Sequence, residues 1–378
     1  MKPLNPVKYY RENKKKAMLV IVILFLTVLA ISAINSIIRS AADSAETTTV
    51  QYLKTASVVF LPPDNADTLK KIENFDSVDK DKLLKINGYE QTYYYSIAAN
   101  TEAVILFSQN SLSELVQRFG LTVKSGRLPD SDKYEIAMHE VLLKNRGLKV
   151  GDEFGSDVNE NEWIEGRYKI VGSLTGNTVI SVGTKNHNVE MAKTFEDEWF
   201  GQLLIFPSSK GIEAMNADIE ALTRKEVNGM ITYNTRRIQL DGEIAGFQNV
   251  LNIIMVIMVI ALGVSLGAVI MIAYNDRKGE FGILSAIGYS KREIRNFVCK
   301  EIGILALVAS VVGYALSLAL LSLLDIAIFS SKGSPLTVFT PMGLVFAALV
   351  PVMVFIFAAV PVILRLRKTD LVLVIEGR

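Results

Sequence analysis

Cysteine and histidine are nearly absent from this sequence of 378 residues. Cys299 is the single cysteine, so no intrachain disulfide can form and stability must come from packing. The two histidines, His139 and His187, leave few candidates for histidine-based catalysis. A formal net charge of +1 gives the whole chain no electrostatic footprint for nucleic acid.

Motifs that mark enzymes or metal sites are also missing. The sequence has no Gly-x4-Gly-Lys-Ser/Thr phosphate loop and no Gly-x-Ser-x-Gly elbow. HEVLL at His139 begins like a zinc-protease motif, but Leu143 stands where the second histidine is needed. DVNENEW at Asp157 begins like a calcium loop, but Glu162 and Tyr168 replace its glycine and closing glutamate. We therefore expect no catalytic residue, metal site or cofactor in this chain, and we interpret His139 as a polar residue at a helix start.

Charge is almost missing from four blocks that are each long enough to cross a bilayer. Backbone groups in lipid must be satisfied internally, so each block is predicted to be a transmembrane helix. The first could instead be a cleaved signal peptide, but its apolar run is longer than such segments usually have. The predicted spans are residues 17–38, 250–274, 302–324 and 342–364.

Lysine and arginine predict the orientation of these spans. Residues 1–16, 275–301 and 365–378 are basic, whereas the connection 325–341 holds only Lys332. Four spans place the three basic segments on one side, which the positive-inside rule makes the cytoplasm. The sequence therefore predicts a multi-pass protein of the cell membrane, with both termini cytoplasmic and residues 39–249 outside.

Residues 39–249 alternate strand-like and helix-like stretches. ASVVF, TEAVILF and YEQTYYYSIA are typical of strands, and DTLKKIENF and SLSELVQRF of short helices, with Asp67 and Ser111 as candidate N-caps. The predicted fold class is a membrane protein with four transmembrane α-helices, arranged one plus three. A mixed α/β extracytoplasmic domain is inserted between the first two.

The segment RKGEFGILSAIGYSKREIR between spans two and three is unusually ordered for a loop. After Gly288, Ser290 and Glu293 have capping-box spacing, and Ile294 and Phe297 share one helical face. The pattern predicts a short, capped amphipathic helix with a basic opposite face. Such a helix docks on a protein or lies on anionic lipid headgroups, and the residues alone favour neither.

Span two contains Gly263-x-x-x-Gly267, a spacing that permits close helix packing. The pair is predicted to pack either across a dimer or within one subunit, and both alternatives stay open.

The stretch DRKGEFGILSAIGYSKREI resembles the signature loop of MacB/FtsX-type ABC transporter permeases. Two stretches, YEIAMHEVLLKNRGLKVGDEF and YKIVGSL, are similar to the family's extracytoplasmic MacB-like core domain, and NPVKYYRENKKK is similar to its basic lead-in helix. The ending PVILRLRKTDLVLVIEGR is similar to the family's tail, although Leu371 replaces the usual proline.

The resemblance implies that the capped helix is a coupling helix that docks on a separate cytoplasmic ATPase dimer, which would bind ATP and Mg. It also implies a second permease, identical or homologous. The residues assigned to ATPase coupling are Arg277, Glu280, Gly282, Ile283, Leu284, Ala286, Gly288, Ser290, Arg292, Glu293, Ile294 and Phe297.

Three functions remain open at this point. The first is a permease that exports or extracts a peptide, lipid-linked or drug-like substrate. The second is an FtsX-like transmitter that activates a cell-wall hydrolase, and the third is a membrane-anchored sensor without transport. The large outside domain favours the first.

Overall fold

The computed structural model describes residues 14–62, 66–79, 83–86, 88–96, 100–108, 111–184, 202–222 and 227–368. The predicted lead-in helix and the C-terminal tail fall largely outside these ranges. The chain divides into two compact units. The helical unit contains residues 1–39, 246–326 and 336–378, and the α/β unit contains residues 40–245 and 327–335.

Four helices in the described part of the chain are long and apolar enough to cross a membrane. They are α1 Lys14–Thr49, α6 Tyr233–Asp276, α8 Lys291–Leu324 and α9 Pro341–Lys368, with the short helix α7 Lys278–Ala286 between the second and third. Each extends beyond its predicted span. α6 in particular is one unbroken helix, although it contains Gly242 and Gly246.

Apolar side chains of the helical unit divide between an interior and an outer surface. Leu24, Leu266 and Val354 are buried in one cluster that all four long helices share. Other large apolar residues, such as Ile257 and Leu307, are exposed along the helices. An apolar exterior of this kind fits helices whose solvent is lipid.

Within the described residues, the strands of the α/β unit form two sheets. One has the order β11-β1-β10-β2, and the other has the order β3-β4-β9-β6-β8-β5 with β7 paired to β8. The β4–β9 and β6–β8 pairs are parallel, and the remaining pairs are antiparallel. The strands are β1 Ser57–Phe60, β2 Leu84–Ile86, β3 Gly88–Tyr95, β4 Asn100–Phe107, β5 Thr122–Gly126, β6 Glu135–His139, β7 Glu153–Phe154, β8 Tyr168–Thr175, β9 Ile180–Gly183, β10 Gln202–Ile205 and β11 Gly229–Ile231.

Strand alternation places neighbouring residues in different cores. In β6, Ala137 packs into one cluster, whereas Ile136 and Met138 pack into another on the opposite face. In β1, Val58 and Val59 separate in the same way. Both faces of these central strands are covered, which is why they read as continuous apolar runs. The helices of this unit are α2 Ala66–Glu73, α3 Leu112–Arg118, α4 Glu140–Arg146 and α5 Ile212–Glu220.

The predicted helix start at His139 is confirmed. Its Nδ1 accepts a hydrogen bond from the Val141 N–H and caps α4, and Gly147 ends that helix with φ of 68°. The cap at Asp67 was wrong, because α2 already begins at Ala66 and Asp67 lies in its first turn. Ser111 stands at the N-cap of α3, but its side chain makes no capping hydrogen bond.

Candidate functional site

The short helix α7 makes up most of the segment between α6 and α8. Only Arg277 separates α6 from α7, and only residues 287–290 separate α7 from α8. Gly288 has φ of 107° in this turn, a backbone conformation that side chains disfavour. A Cβ at Gly288 would meet no atom within 4 Å, so the backbone angle and not space requires glycine.

The predicted capping box is present. The Ser290 Oγ accepts the Glu293 N–H at 3.3 Å, and the Glu293 Oε2 accepts the Ser290 N–H at 2.8 Å. The capped helix is not short, however. No proline or glycine interrupts it before the third span, so it continues as α8 to Leu324. The separate short helix of this segment is α7.

The apolar face at the start of α8 is buried. Ile294 is 0% exposed and Phe297 8%, and both belong to the core of the helical unit. The sequence prediction assigned these two side chains to ATPase coupling, and that role stays a prediction. Because both pack inside their own subunit, they offer little surface for direct contact with a partner. Arg292 lies exposed in the first turn of α8.

α7 has one buried face and one exposed face. Phe281 and Gly282 are buried, Leu284 packs against the same core, and the Phe281 ring stacks on Tyr274 with centroids 5.2 Å apart. Ile283 is 57% exposed and Ile287 71%. We define the α7 surface as the exposed set Glu280, Ile283, Ala286, Ile287 and Gly288. Ile287 was missed from the sequence, although its i, i+4 spacing from Ile283 was a signal.

A buried ion pair fixes α7 to α8. The Arg277 guanidinium donates to both carboxylate oxygens of Glu301, at 2.9 and 3.0 Å, and the Glu301 side chain is 2% exposed. Arg277 also donates to Glu280 at 3.1 Å and lies 5.1 Å from the Phe281 ring centre. Burial alone would lower the pKa of Arg277, but the charge and hydrogen bonds of Glu301 and then Glu280 outweigh it and raise the pKa. Sequence reasoning missed Glu301, whose signal was a lone carboxylate at the start of an apolar run.

Gly263 and Gly267 pack within the chain. A Cβ at Gly263 would lie 2.8 Å from the Phe357 ring, and one at Gly267 would lie 2.7 Å from the Phe357 carbonyl oxygen. The pair therefore lets α6 approach α9 of the same subunit, which is one of the two alternatives that the spacing left open.

The connection between α8 and α9 contributes to the α/β unit. The Tyr94 hydroxyl donates to the Gly333 carbonyl, and the Asn145 amide donates to the Lys332 carbonyl at 3.3 Å. Gly333 has φ of 69°, and a Cβ there would meet the Val141 carbonyl oxygen at 2.8 Å. No sequence pattern predicted these contacts, because their partners lie 239 and 187 residues apart.

Residues 252–371 match the FtsX family, described as FtsX-like permease C-terminal. This part of the chain is an FtsX-like permease domain. The matched region includes α7, α8, α9 and the Arg277–Glu301 pair, so the candidate site lies inside it. The match confirms the predicted relation to FtsX-type ABC transporter permeases for these residues.

Two solved structures are similar to part of this chain. One is the periplasmic region of MacB from Actinobacillus actinomycetemcomitans, at 11% identity and a TM-score of 0.29, covering 51% of this chain and 96% of that one. The other is the extracellular domain of the ABC-type transporter YknZ from Gram-positive bacteria, at 11% identity and a TM-score of 0.26, covering 43% and 88%. At scores this low the two likenesses establish no shared fold on their own. A search of curated proteins found no match.

Proposed function

We propose that this chain is the permease subunit of an ABC transporter and that a separate cytoplasmic ATPase docks on the α7 surface. The observation that carries the proposal is the exposure of Ile283 and Ile287 on a helix whose other face is fixed in the core. Two neighbouring exposed isoleucines outside the spans are the kind of apolar anchor that a partner protein covers. Because the sequence has no phosphate loop, the partner would bind ATP and Mg and hydrolyse the ATP.

The contacts inside the helical unit give α7 a route to move the spans. Phe281 ties α7 to the end of α6 through Tyr274, and Arg277 ties it to α8 through Glu301. A displacement of α7 by ATP-driven closure of the ATPase would therefore pull on both helices. Neither helix is broken within its span, so each can carry the displacement along its length.

The α/β unit is proposed to lie outside the cell and to receive this motion. The three basic flanks support that orientation through the positive-inside rule. Residues 327–335 belong to the same compact unit as residues 40–245, as expected if both connections lie on one side of the membrane. Movement of this unit would export or extract a peptide, lipid-linked or drug-like substrate.

A second permease, identical or homologous, is part of the proposal. Gly263 and Gly267 already pack against Phe357, so the contact with the second permease must use other residues.

Site-directed cross-linking tests the docking surface. Cys299→Ser removes the single cysteine, and Ile287→Cys introduces a new one on the α7 surface of the full chain. The new cysteine is then labelled with a photoactivatable maleimide. We expect the probe, in native membranes, to cross-link to an ATPase identified by mass spectrometry. Glu213→Cys on α5 is the control, since its exposed side chain lies in the α/β unit and should capture no ATPase. ATPase capture from Glu213→Cys but not from Ile287→Cys would overturn both the site and the orientation.

A further inference from the structure

A loop crosses the surface of the α/β unit beside strand β3. This loop, residues 155–166, is held by Glu162, which forms a buried ion pair with Arg146 of α4 and accepts the Thr92 hydroxyl at 2.8 Å. The Glu162 side chain is 1% exposed and that of Arg146 is 5%. A buried pair with a further hydrogen bond fixes geometry strongly, because loss of either partner leaves an uncompensated charge.

Anchoring Glu162 places the next residue, Trp163, on the surface. Its ring centre lies 4.6 Å from that of Tyr93, yet its side chain remains 49% exposed. Tyr95, two residues along the same face of β3, is 46% exposed and rests over the Arg146 guanidinium, 5.0 Å from the ring centre. We name Trp163, Tyr93 and Tyr95 the aromatic row. Its position is set before any partner arrives, so binding would cost little ordering entropy.

The loop that presents the aromatic row is acidic. Over twelve residues it contains Asp157, Glu160, Glu162 and Glu165 and no lysine, arginine or histidine. Arg146 pairs with Glu162, and Asp157, Glu160 and Glu165 are exposed residues. The adjacent Arg167 pairs with Glu153 at 3.1 Å and donates to the Asp157 backbone carbonyl at 3.4 Å. The surface therefore combines π-faces with negative charge.

We propose that the aromatic row and its acidic rim form a docking site for a basic segment of a partner protein. Lysine and arginine side chains bind favourably over tryptophan and tyrosine faces, and the exposed carboxylates supply complementary charge. A neutral glycan would leave the acidic rim without a role, and an anionic lipid surface would be repelled by it. The site lies in the α/β unit and does not depend on the ATPase contact proposed above.

Tryptophan fluorescence reports directly on this site. Trp199 is the chain's other tryptophan, so Trp199→Phe leaves Trp163 as the sole tryptophan. The full chain in zwitterionic nanodiscs is titrated with a synthetic peptide of alternating arginine and serine. We expect saturable quenching of Trp163 that weakens in high salt, because exposed charges are screened. A peptide of alternating glutamate and serine, and an oligosaccharide of N-acetylglucosamine, should produce no change.

Neutralising the rim separates specific docking from general attraction to a charged protein. Asp157→Asn, Glu160→Gln and Glu165→Gln together should raise the dissociation constant of the basic peptide by roughly tenfold. The control neutralises three exposed carboxylates elsewhere in the unit, with Glu73→Gln, Glu213→Gln and Glu220→Gln, and should leave the constant within about twofold. Equal weakening by both triple variants would overturn the proposal, as would quenching by the oligosaccharide alone.

Discussion

The two helices that follow Arg277 differ in whether their apolar residues are exposed or buried. α7 leaves Ile283 and Ile287 exposed, whereas the first turns of α8 bury Ile294 and Phe297 almost completely. Both sequences are amphipathic, and both lie inside the matched permease region. The difference teaches that a docking helix is recognised by the apolar face that its own subunit leaves uncovered. In this protein we propose that this helix is α7 and that the start of α8 supports it.

Breaking the ion pair that joins α7 to α8 should have the largest effect on stability. Glu301→Gln leaves the Arg277 charge buried without its buried counter-charge, and removing one partner of a buried pair costs about 3–5 kcal/mol. We expect a clearly lower midpoint of thermal unfolding for the full chain in nanodiscs. The double variant Arg277→Met/Glu301→Leu should recover most of the loss, because neither charge of the buried pair then remains.

Glu280→Gln is the matched control for that experiment. It removes the carboxylate that lies 3.1 Å from Arg277 but is 60% exposed, so the expected cost is at most about 1 kcal/mol. Equal destabilisation by Glu280→Gln and Glu301→Gln would show that burial of the pair is not what holds α7 to α8.

Aspartate substitutions at the exposed Ile287 and the buried Ile294 test whether the two apolar faces have different roles. Ile287→Asp should weaken ATPase binding by more than tenfold, since loss of a central apolar anchor costs about 2 kcal/mol, and leave thermal unfolding unchanged. Ile294→Asp should instead lower the unfolding midpoint, because it buries an unpaired carboxylate. Binding is measured by co-purification with titrated ATPase. If Ile287→Asp bound the ATPase normally, α7 would lose its proposed role.

Local features of this region could be predicted because their causes are local. The capping box needs only Ser290 and Glu293, three residues apart, and each span follows from the length of its apolar run. In the α/β unit, the start of α4 was predicted because the capping His139 lies next to the helix that it bounds.

What covers an apolar face could not be predicted, because the covering residues are distant in sequence. The spacing of Ile294 and Phe297 shows that they share a face but not that the helical core buries it. The spacing of Gly263 and Gly267 shows close packing but does not identify Phe357 as the neighbour. The partners Arg277 and Glu301 lie 24 residues apart, beyond any helical repeat.

The cap of α8 should contribute less to stability than the buried ion pair does. Ser290→Ala removes the acceptor for the Glu293 N–H and should cost about 1 kcal/mol. Hydrogen exchange should quicken at the first amides of α8, while the amides of α7 stay protected. Ser285→Ala, the same chemical change inside α7, is the control and should leave exchange in α8 unaltered. Faster exchange throughout both helices would mean that the box stabilises the whole segment and not one helix end.

The buried cap of α4 in the α/β unit contrasts with the exposed cap of α8. It is expected to have the smallest effect on stability. Ser290 is exposed and does not titrate, whereas His139 is 1% exposed and burial lowers its pKa from the ordinary value of 6.5. The unfolded chain therefore takes up a proton at a higher pH than the folded one. Stability that is present above pH 6.5 should fall as the pH drops below that value. Protonation would also remove the Nδ1 acceptor that caps α4.

The neighbouring Glu140 gives a second pH window in which stability also falls as the pH drops. Hydrogen bonds from Lys124 and Thr175 lower its pKa from 4.5 to about 2, so its contribution should be lost only between those values. Thermal unfolding followed from about pH 8 down to about pH 2 covers both windows and resolves them. His139→Gln should flatten the upper window and leave the lower one, and Glu140→Gln should do the reverse. An upper window that persists in His139→Gln would assign the titration to another group and leave the buried cap without a role in pH dependence.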